Sequence, residues 1–145
     1  MAMKEGSYLI RFDGGSRGNP GKAGCGYIIY KPDGTTHLNG SCFVGSQETN
    51  NVAEYTGLLR ALEAISYDEK ITSLTIEGDS LLVINQLSGL WKVKADNLIP
   101  LYAKTHSLLS KYEYTLSHIP RNQNKEADRL ANIAMDSMSN QPSSQ

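Results

Sequence analysis

Four acidic residues stand where the surrounding pattern places the ends of structural elements. Asp13 follows the apolar stretch Tyr8 to Phe12, Asp79 follows Leu74-Thr75-Ile76, and Glu54 and Asp128 fall in the first turns of two amphipathic segments. At about 100° per residue, both helical acids lie roughly 80–100° from the centre of their apolar stripe, at the border of core and solvent. Each acid alone has an ordinary explanation. First-turn carboxylates favour a helix dipole, Asp79 suits an N-cap, and Asp13 suits a turn. Asp13 and Asp79 together weigh differently. If their strands are adjacent and parallel, both carboxylates leave the same edge of the sheet, where α/β folds place ligands. Close carboxylates repel unless a cation lies between them, and an oxygen-only donor set selects hard ions such as Mg²⁺ or Mn²⁺ over zinc. The chemistry suggested is phosphoryl transfer assisted by two ions about 3.5–4 Å apart.

The block Asp13-Gly-Gly-Ser-Arg-Gly-Asn-Pro-Gly21 invites comparison with a phosphate cradle. It is not a Walker loop, because Ser16 stands five positions before Gly21 and Lys22 is followed by Ala23. A strand follows it, so it does not open a helix as a dinucleotide fingerprint must. Its glycines read either as a place for close backbone approach to a ligand or as a loose hairpin loop.

The elements that must position these residues fit one domain. The chain has 145 residues, 39% hydrophobic and 20% charged, which is the range of globular domains and not of disordered chains. No run approaches the roughly 18 apolar residues of a membrane span. The segment before Tyr8 carries Lys4 and Glu5 without an apolar core, which points to the cytoplasm. A net charge of −1 argues against a broad basic surface but leaves room for a local basic groove.

Tyr8 to Phe12 reads as a strand, Asp13 to Gly24 as a glycine-rich turn, and Gly26 to Tyr30 as a second strand. Pro32-Asp33-Gly34-Thr35 is a hairpin signal that returns the chain as a third strand over Thr36 to Val44. Tyr55, Leu58, Leu59, Leu62 and Ile65 give a helix from Asn50 to Ser66, capped by Thr49 or Asn50. A short strand at Leu74 to Ile76 leads into a helix over Leu81 to Leu87, started by Asp79 or Ser80. A stripe from Leu98 to Tyr112 gives another helix, Tyr114 to Ile119 a last strand, and Asn124 caps a final helix with face Ala127, Leu130, Ala131 and Ala134. The catalytic unit is expected over 1–138, with a disordered polar tail at 139–145. The fold class is α/β: three antiparallel strands, then two parallel ones, in a mixed sheet flanked by helices.

Two cysteines are too few for a disulfide scaffold and too far apart for a Cys-x-x-Cys site. With Asp33-Gly34 as a two-residue loop, Cys25 lies opposite Cys42, and a reduced pair in contact is expected. A longer loop with a bulge would shift the register by one and leave two unrelated core residues.

Four blocks resemble the type 1 ribonucleases H: Phe12 to Gly21, Thr49-Asn-Asn-Val-Ala-Glu-Tyr55, Gly78-Asp-Ser80, and His118-Ile-Pro-Arg-Asn-Gln-Asn-Lys-Glu-Ala-Asp-Arg-Leu-Ala131. The last block is most similar to archaeal, plant and some bacterial members. The resemblance implies a five-stranded ribonuclease H-like sheet and an endonuclease that cuts the RNA strand of RNA/DNA hybrids, leaving 3′-hydroxyl and 5′-phosphate ends. It implies that Asp13 bridges two ions, Mg²⁺ or Mn²⁺, that Glu54 and Asp79 hold the ion at the leaving-group side, and that Asp128 holds the ion that activates water. His118, at the family's spacing from Asp128, is implied to assist proton transfer or product release, or else it closes its strand.

Recognition of 2′-hydroxyls is implied for the Gly14, Gly15 and Ser16 backbone, Asn50, Asn51 and Glu54, with Asn19 and Thr49 near a DNA phosphate. Asn51 also reads as a capping side chain. Leu81 stands where many members have glutamine, and Gly89-Leu-Trp-Lys-Val-Lys-Ala95 is too short for the basic protrusion of some members, so weaker hybrid binding is expected. Trp91 reads as edge packing or as a stacking platform. The resulting expectation is a monomer that binds hybrid nucleic acid and no membrane. The alternatives are a catalytically weak hybrid-binding module of the same fold, or a nuclease of that fold acting on DNA or double-stranded RNA.

Overall fold

A computed structural model describes residues 5–140, the side chains of 138–140 excepted. Its elements in chain order are β1 (Ser7–Arg17), β2 (Gly21–Tyr30), β3 (Thr36–Glu48), α1 (Asn50–Ile65), β4 (Ser73–Gly78), α2 (Leu81–Leu87), α3 (Ile99–Leu109), β5 (Glu113–His118) and α4 (Lys125–Asn140). The strands form one five-stranded sheet in the order β3-β2-β1-β4-β5. β1 to β3 pair antiparallel, while β4 joins β1 and β5 joins β4 in parallel. The expected mixed sheet is therefore present. α4 runs to Asn140, two residues into the segment read as a tail, and 141–145 lie outside the described residues. No helix among the described residues is long and apolar enough to cross a membrane.

The main departure from the sequence reading is the glycine block. Asp13 to Arg17 is not a loop: β1 continues through it, paired with Lys22 to Gly26, and the turn is confined to Gly18–Pro20. Gly18 takes φ 115° and Asn19 φ 30°, conformations that favour glycine and asparagine. The strand tolerates so many glycines because helices lie against them. A Cβ on Gly14 would stand 2.2 Å from the Ala53 carbonyl carbon of α1, and one on Gly26 would stand 2.6 Å from the Ala127 oxygen and Ala131 nitrogen of α4. Glycine in a strand marks such close backbone approach. Since alternate residues face opposite sides, α1 covers one face of β1 and β2 and α4 the other.

The α1 side holds the core. Ile10 and Phe12 of β1, Ile76 of β4, Tyr55, Leu58 and Leu62 of α1 and Leu109 of α3 are all fully buried. The Tyr55 hydroxyl donates to Gln86 Oε1 at 2.6 Å, so a buried polar contact joins α1 to α2. Thr49 caps α1 through Val52 N–H and Ser80 caps α2 through Val83 N–H, which settles both capping alternatives and removes that role from Asn51.

The β2–β3 hairpin reaches the expected register by a different route. Its loop is longer than two residues: Lys31 N–H donates to Thr35 O, Gly34 N–H donates to Lys31 O, and Tyr30 pairs with Thr36. One bulge, between the Ile29–Leu38 and Tyr30–Thr36 pairs, restores the register, and Cys25 faces Cys42.

Gly26→Ala should destabilise the fold by roughly 2–4 kcal/mol, because backbone of α4 must retreat. Gly34→Ala, with φ 89° and open space around it, should cost about 1 kcal/mol. Denaturant unfolding of both variants checks the ranking, and equal losses would contradict it.

Candidate active site

β1 and β4 run side by side with Phe12 opposite Gly78, so the next residues, Asp13 and Asp79, emerge together at the carboxyl edge. Gly78 has a local reason: a Cβ there would lie 2.5 Å from the Phe12 ring, which crosses this position. Glu54 arrives from the first turns of α1, which the bare Gly14 lets settle onto β1. Each of Asp13, Glu54 and Asp79 offers a carboxylate oxygen, and these oxygens all lie within 4.8 Å of one another. Asp13 is 6% and Glu54 9% exposed, and Asp79 is half-buried.

Asp128 is half-buried on α4 and faces Asp13 across the same cavity, which has a volume of about 340 Å³. α4 is set by Asn124, whose Nδ2 donates to Phe12 O at 2.9 Å. The side chain expected to cap the helix thus spans to β1 instead, one residue before Asp13, while the Asn124 carbonyl accepts from Asp128 N–H.

Crowding of negative charge around two buried carboxylates has an electrostatic signature. Burial, then the charge of Asp79, then Asp128 push Asp13 up from 3.8 to about 7, against the opposing hydrogen bond from Gly14 N–H. Burial, then Asp13 and Asp79, hold Glu54 well above its ordinary value. Glu54 Oε1 is buried with no hydrogen-bond partner. An orphaned carboxylate oxygen beside two others is the donor set of a hard divalent cation, so the residues fit a metal centre.

The cavity is also lined by Gly14, Gly15, Ser16, Arg17, Asn50, Arg121, Ala131, Asn132 and Met135. Ser16 N–H donates to Asn50 Oδ1 at 2.7 Å and Asn50 N–H donates to Asn19 Oδ1 at 2.9 Å, so the glycine strand and the start of α1 are laced together. Thr49 serves as the cap, and neither Thr49 nor Asn51 lines the cavity. His118 is exposed at the end of β5, its Nε2 3.2 Å from the Asp79 carbonyl oxygen, and it does not line the cavity either. The cation that does so from that segment is Arg121, in a single 3-10 turn over Arg121–Gln123. Sequence reasoning passed over Arg121 and over Arg17, whose guanidinium pairs with Asp136 of α4 at 2.6 Å. Their signal was a guanidinium within each of the two blocks that carry Asp13 and Asp128.

The family described as Reverse transcriptase-like matches residues 11–134. The bifunctional protein Rv2228c of Mycobacterium tuberculosis is 44% identical over 130 residues, covering 88% of this chain and 35% of that protein. The solved N-terminal RNase H domain of the same protein superposes with a TM-score of 0.87 at 41% identity, covering 92% of this chain and 96% of that one. The chain belongs to the type 1 ribonuclease H family. Ribonuclease HI of Halobacterium salinarum is 40% identical over 126 residues, 86% of this chain and 62% of that protein. LC11-RNase H1, isolated from compost and solved in complex with an RNA/DNA hybrid, gives a TM-score of 0.84 at 36% identity, with 91% and 99% covered. The chain thus spans about a third of the mycobacterial relative and under two thirds of the haloarchaeal one.

Because Asp13 and Glu54 titrate above their ordinary values when folded, folding favours their protonated forms. That contribution is complete below the ordinary carboxyl pKa near 4 and is lost as pH rises toward about 7, the value of Asp13. In chelator, the melting temperature should fall between about pH 5 and pH 8. Asp13→Asn should flatten this decline and raise Tm at about pH 8 by on the order of 5 °C. A variant less stable than wild type under those conditions would count against the clustering.

Proposed function

We propose that the chain is an endonuclease that hydrolyses the RNA strand of RNA/DNA hybrids with Mg²⁺ or Mn²⁺, two ions per site. The observation that carries this reading is the meeting of Asp13, Glu54 and Asp79 within 4.8 Å at the edge of a sheet, in a cavity also lined by the half-buried Gly14 and Gly15. Family membership supports it, and so does the hybrid bound to LC11-RNase H1.

In this reading Asp13 would serve both ions, Glu54 and Asp79 would hold the one at the leaving-group side, and Asp128 would hold the one on the water side. The chemistry ions would supply there is a lowered pKa for an attacking water and neutralised charge on the scissile phosphate. The protein supplies position. A hybrid offers 2′-hydroxyls in a wide, shallow minor groove, which the main chain lining the cavity at Gly14 and Gly15 can contact. Asn50 spends its carbonyl on Ser16 N–H, which leaves the amide NH2 as the donor it offers to a ligand. Arg121 and Arg17 bring positive charge to the cavity rim for the phosphate backbone. His118, with its Nε2 3.2 Å from the Asp79 carbonyl oxygen, stands beside the acids, where it would either assist proton transfer or product release or close its strand.

The chain is further proposed to belong to the archaeal and plant-like members without a basic protrusion. In support, residues 88–98 between α2 and α3 contain no helix, and Trp91 there is 47% exposed. Leu81, also exposed, cannot supply a base-edge hydrogen bond.

Asp13→Asn should lower cleavage of a labelled hybrid by on the order of 10³-fold or more while the far-UV spectrum is kept. A panel of hybrid, DNA/DNA and RNA/RNA duplexes identifies the substrate: hybrid cleaved far faster than the others is expected, and equal cleavage of DNA/DNA would overturn the proposal. The plot of log K against log salt for hybrid binding should be shallower than that of a protrusion-bearing relative, and an equal slope would contradict the subset assignment.

A further inference from the structure

One strand away from Asp13 the sheet carries two sulfurs that the hydrolytic site does not use. Cys25 of β2 lies opposite Gly14 on one side and opposite Cys42 of β3 on the other. Directly opposed residues on antiparallel strands have Cα atoms about 4.5–5.5 Å apart, inside the roughly 4.4–6.8 Å span of a disulfide. Both side chains leave the sheet on the α1 face: Cys25 Cβ is 3.5 Å from where a Cβ on Gly57 would stand, and a residue in register shares that face. Both are free thiols, and they are hydrogen-bonded to each other. They differ in surroundings, since Cys25 is fully buried and Cys42 half-buried, with the Arg60 guanidinium of α1 facing both. The hydrogen bond from Cys25 and the charge of Arg60 bring Cys42 down to about 6, while that hydrogen bond and burial push Cys25 up.

We propose that Cys42 and Cys25 are the attacking and resolving thiols of a thiol–disulfide exchange site whose substrate is a low-molecular-weight disulfide such as oxidised glutathione. The accessible Cys42 thiolate attacks one sulfur of the small disulfide, forming a mixed disulfide and expelling one thiolate, which takes up the proton Cys42 lost. Cys25 then gives up its proton and attacks the Cys42 sulfur. The Cys25–Cys42 bond forms, the mixed disulfide breaks, and the second small thiol leaves with the Cys25 proton. Two protein thiols are oxidised and one small disulfide is reduced to two thiols. The product is a reversible staple between β2 and β3, and it restricts the unfolded chain between residues 25 and 42.

The test is incubation of the reduced, folded chain with oxidised glutathione, read by intact mass, peptide mapping and melting temperature. Wild type should lose two hydrogens, retain no glutathione, yield a peptide linked through Cys25 and Cys42, and melt several degrees higher, all reversed by dithiothreitol. Cys25→Ser, with Cys25→Ala as a second variant should the first fold poorly, should keep one glutathione on Cys42, and Cys42→Ser should stay unmodified. The linked peptide from wild type tests the proposal without relying on any variant. Wild type that stays unreactive, retains glutathione, or links between chains instead of within one would overturn it.

Discussion

Mutual repulsion among carboxylates crowded at one sheet edge, Asp13 and Glu54 of them buried, is the constraint around which this molecule is arranged. Asp13, Glu54 and Asp79 would separate if their supports allowed it, so each support is a contact that leaves no slack. The parallel pairing of β1 with β4 fixes two of them in register. The third rides on α1, which is anchored by a buried stripe and meets β1 at main-chain contacts at Gly14 and at Gly57. Stability given up at such a cluster is recovered when cations bind the folded state and not the unfolded one.

The glycines acquire their meaning from the same constraint. A loop rich in glycine would place the acids loosely. A strand rich in glycine, sandwiched between two helices that approach to backbone contact, places them tightly, because helix positions are then set by main-chain contact and not by flexible side chains. Gly14 admits α1, Gly24 and Gly26 admit α4, and Gly78 admits the Phe12 ring. Asn124 completes the frame by fixing α4 to β1 immediately before Asp13. Local strand structure, helix packing and the geometry of the acids are thus one piece of architecture.

Much of this was legible in the sequence, for identifiable reasons. Helical periodicity exposed α1 and α4 because their buried faces, Tyr55 to Ile65 and Ala127 to Ala134, are cleanly apolar. The junction positions of the acids were readable because strand and helix signals change next to each of them. The extension of β1 through Gly14 to Arg17 was not, since propensity disfavours glycine in strands and the helices that require it are distant in sequence. The cap of α1 was ambiguous because several neighbouring polar side chains could serve, and Asn124 was read as a cap although a tertiary contact to β1 takes its side chain. Register in the β2–β3 hairpin emerged correctly for Cys25 and Cys42 although the turn was read too short, because the longer loop and the bulge near His37 offset each other. His118 and Arg121 show the limit of spacing, since a 3-10 turn brings the arginine and not the histidine to the cavity.

The central claim is that these acids converge on a shared cation site. Titration of Mn²⁺ into the metal-free chain, followed by loss of its free-ion electron paramagnetic resonance signal, tests it most directly. The account predicts saturable uptake by wild type that Asp13→Asn greatly weakens. An Asp13→Asn chain that takes up Mn²⁺ with unchanged affinity and stoichiometry would contradict it.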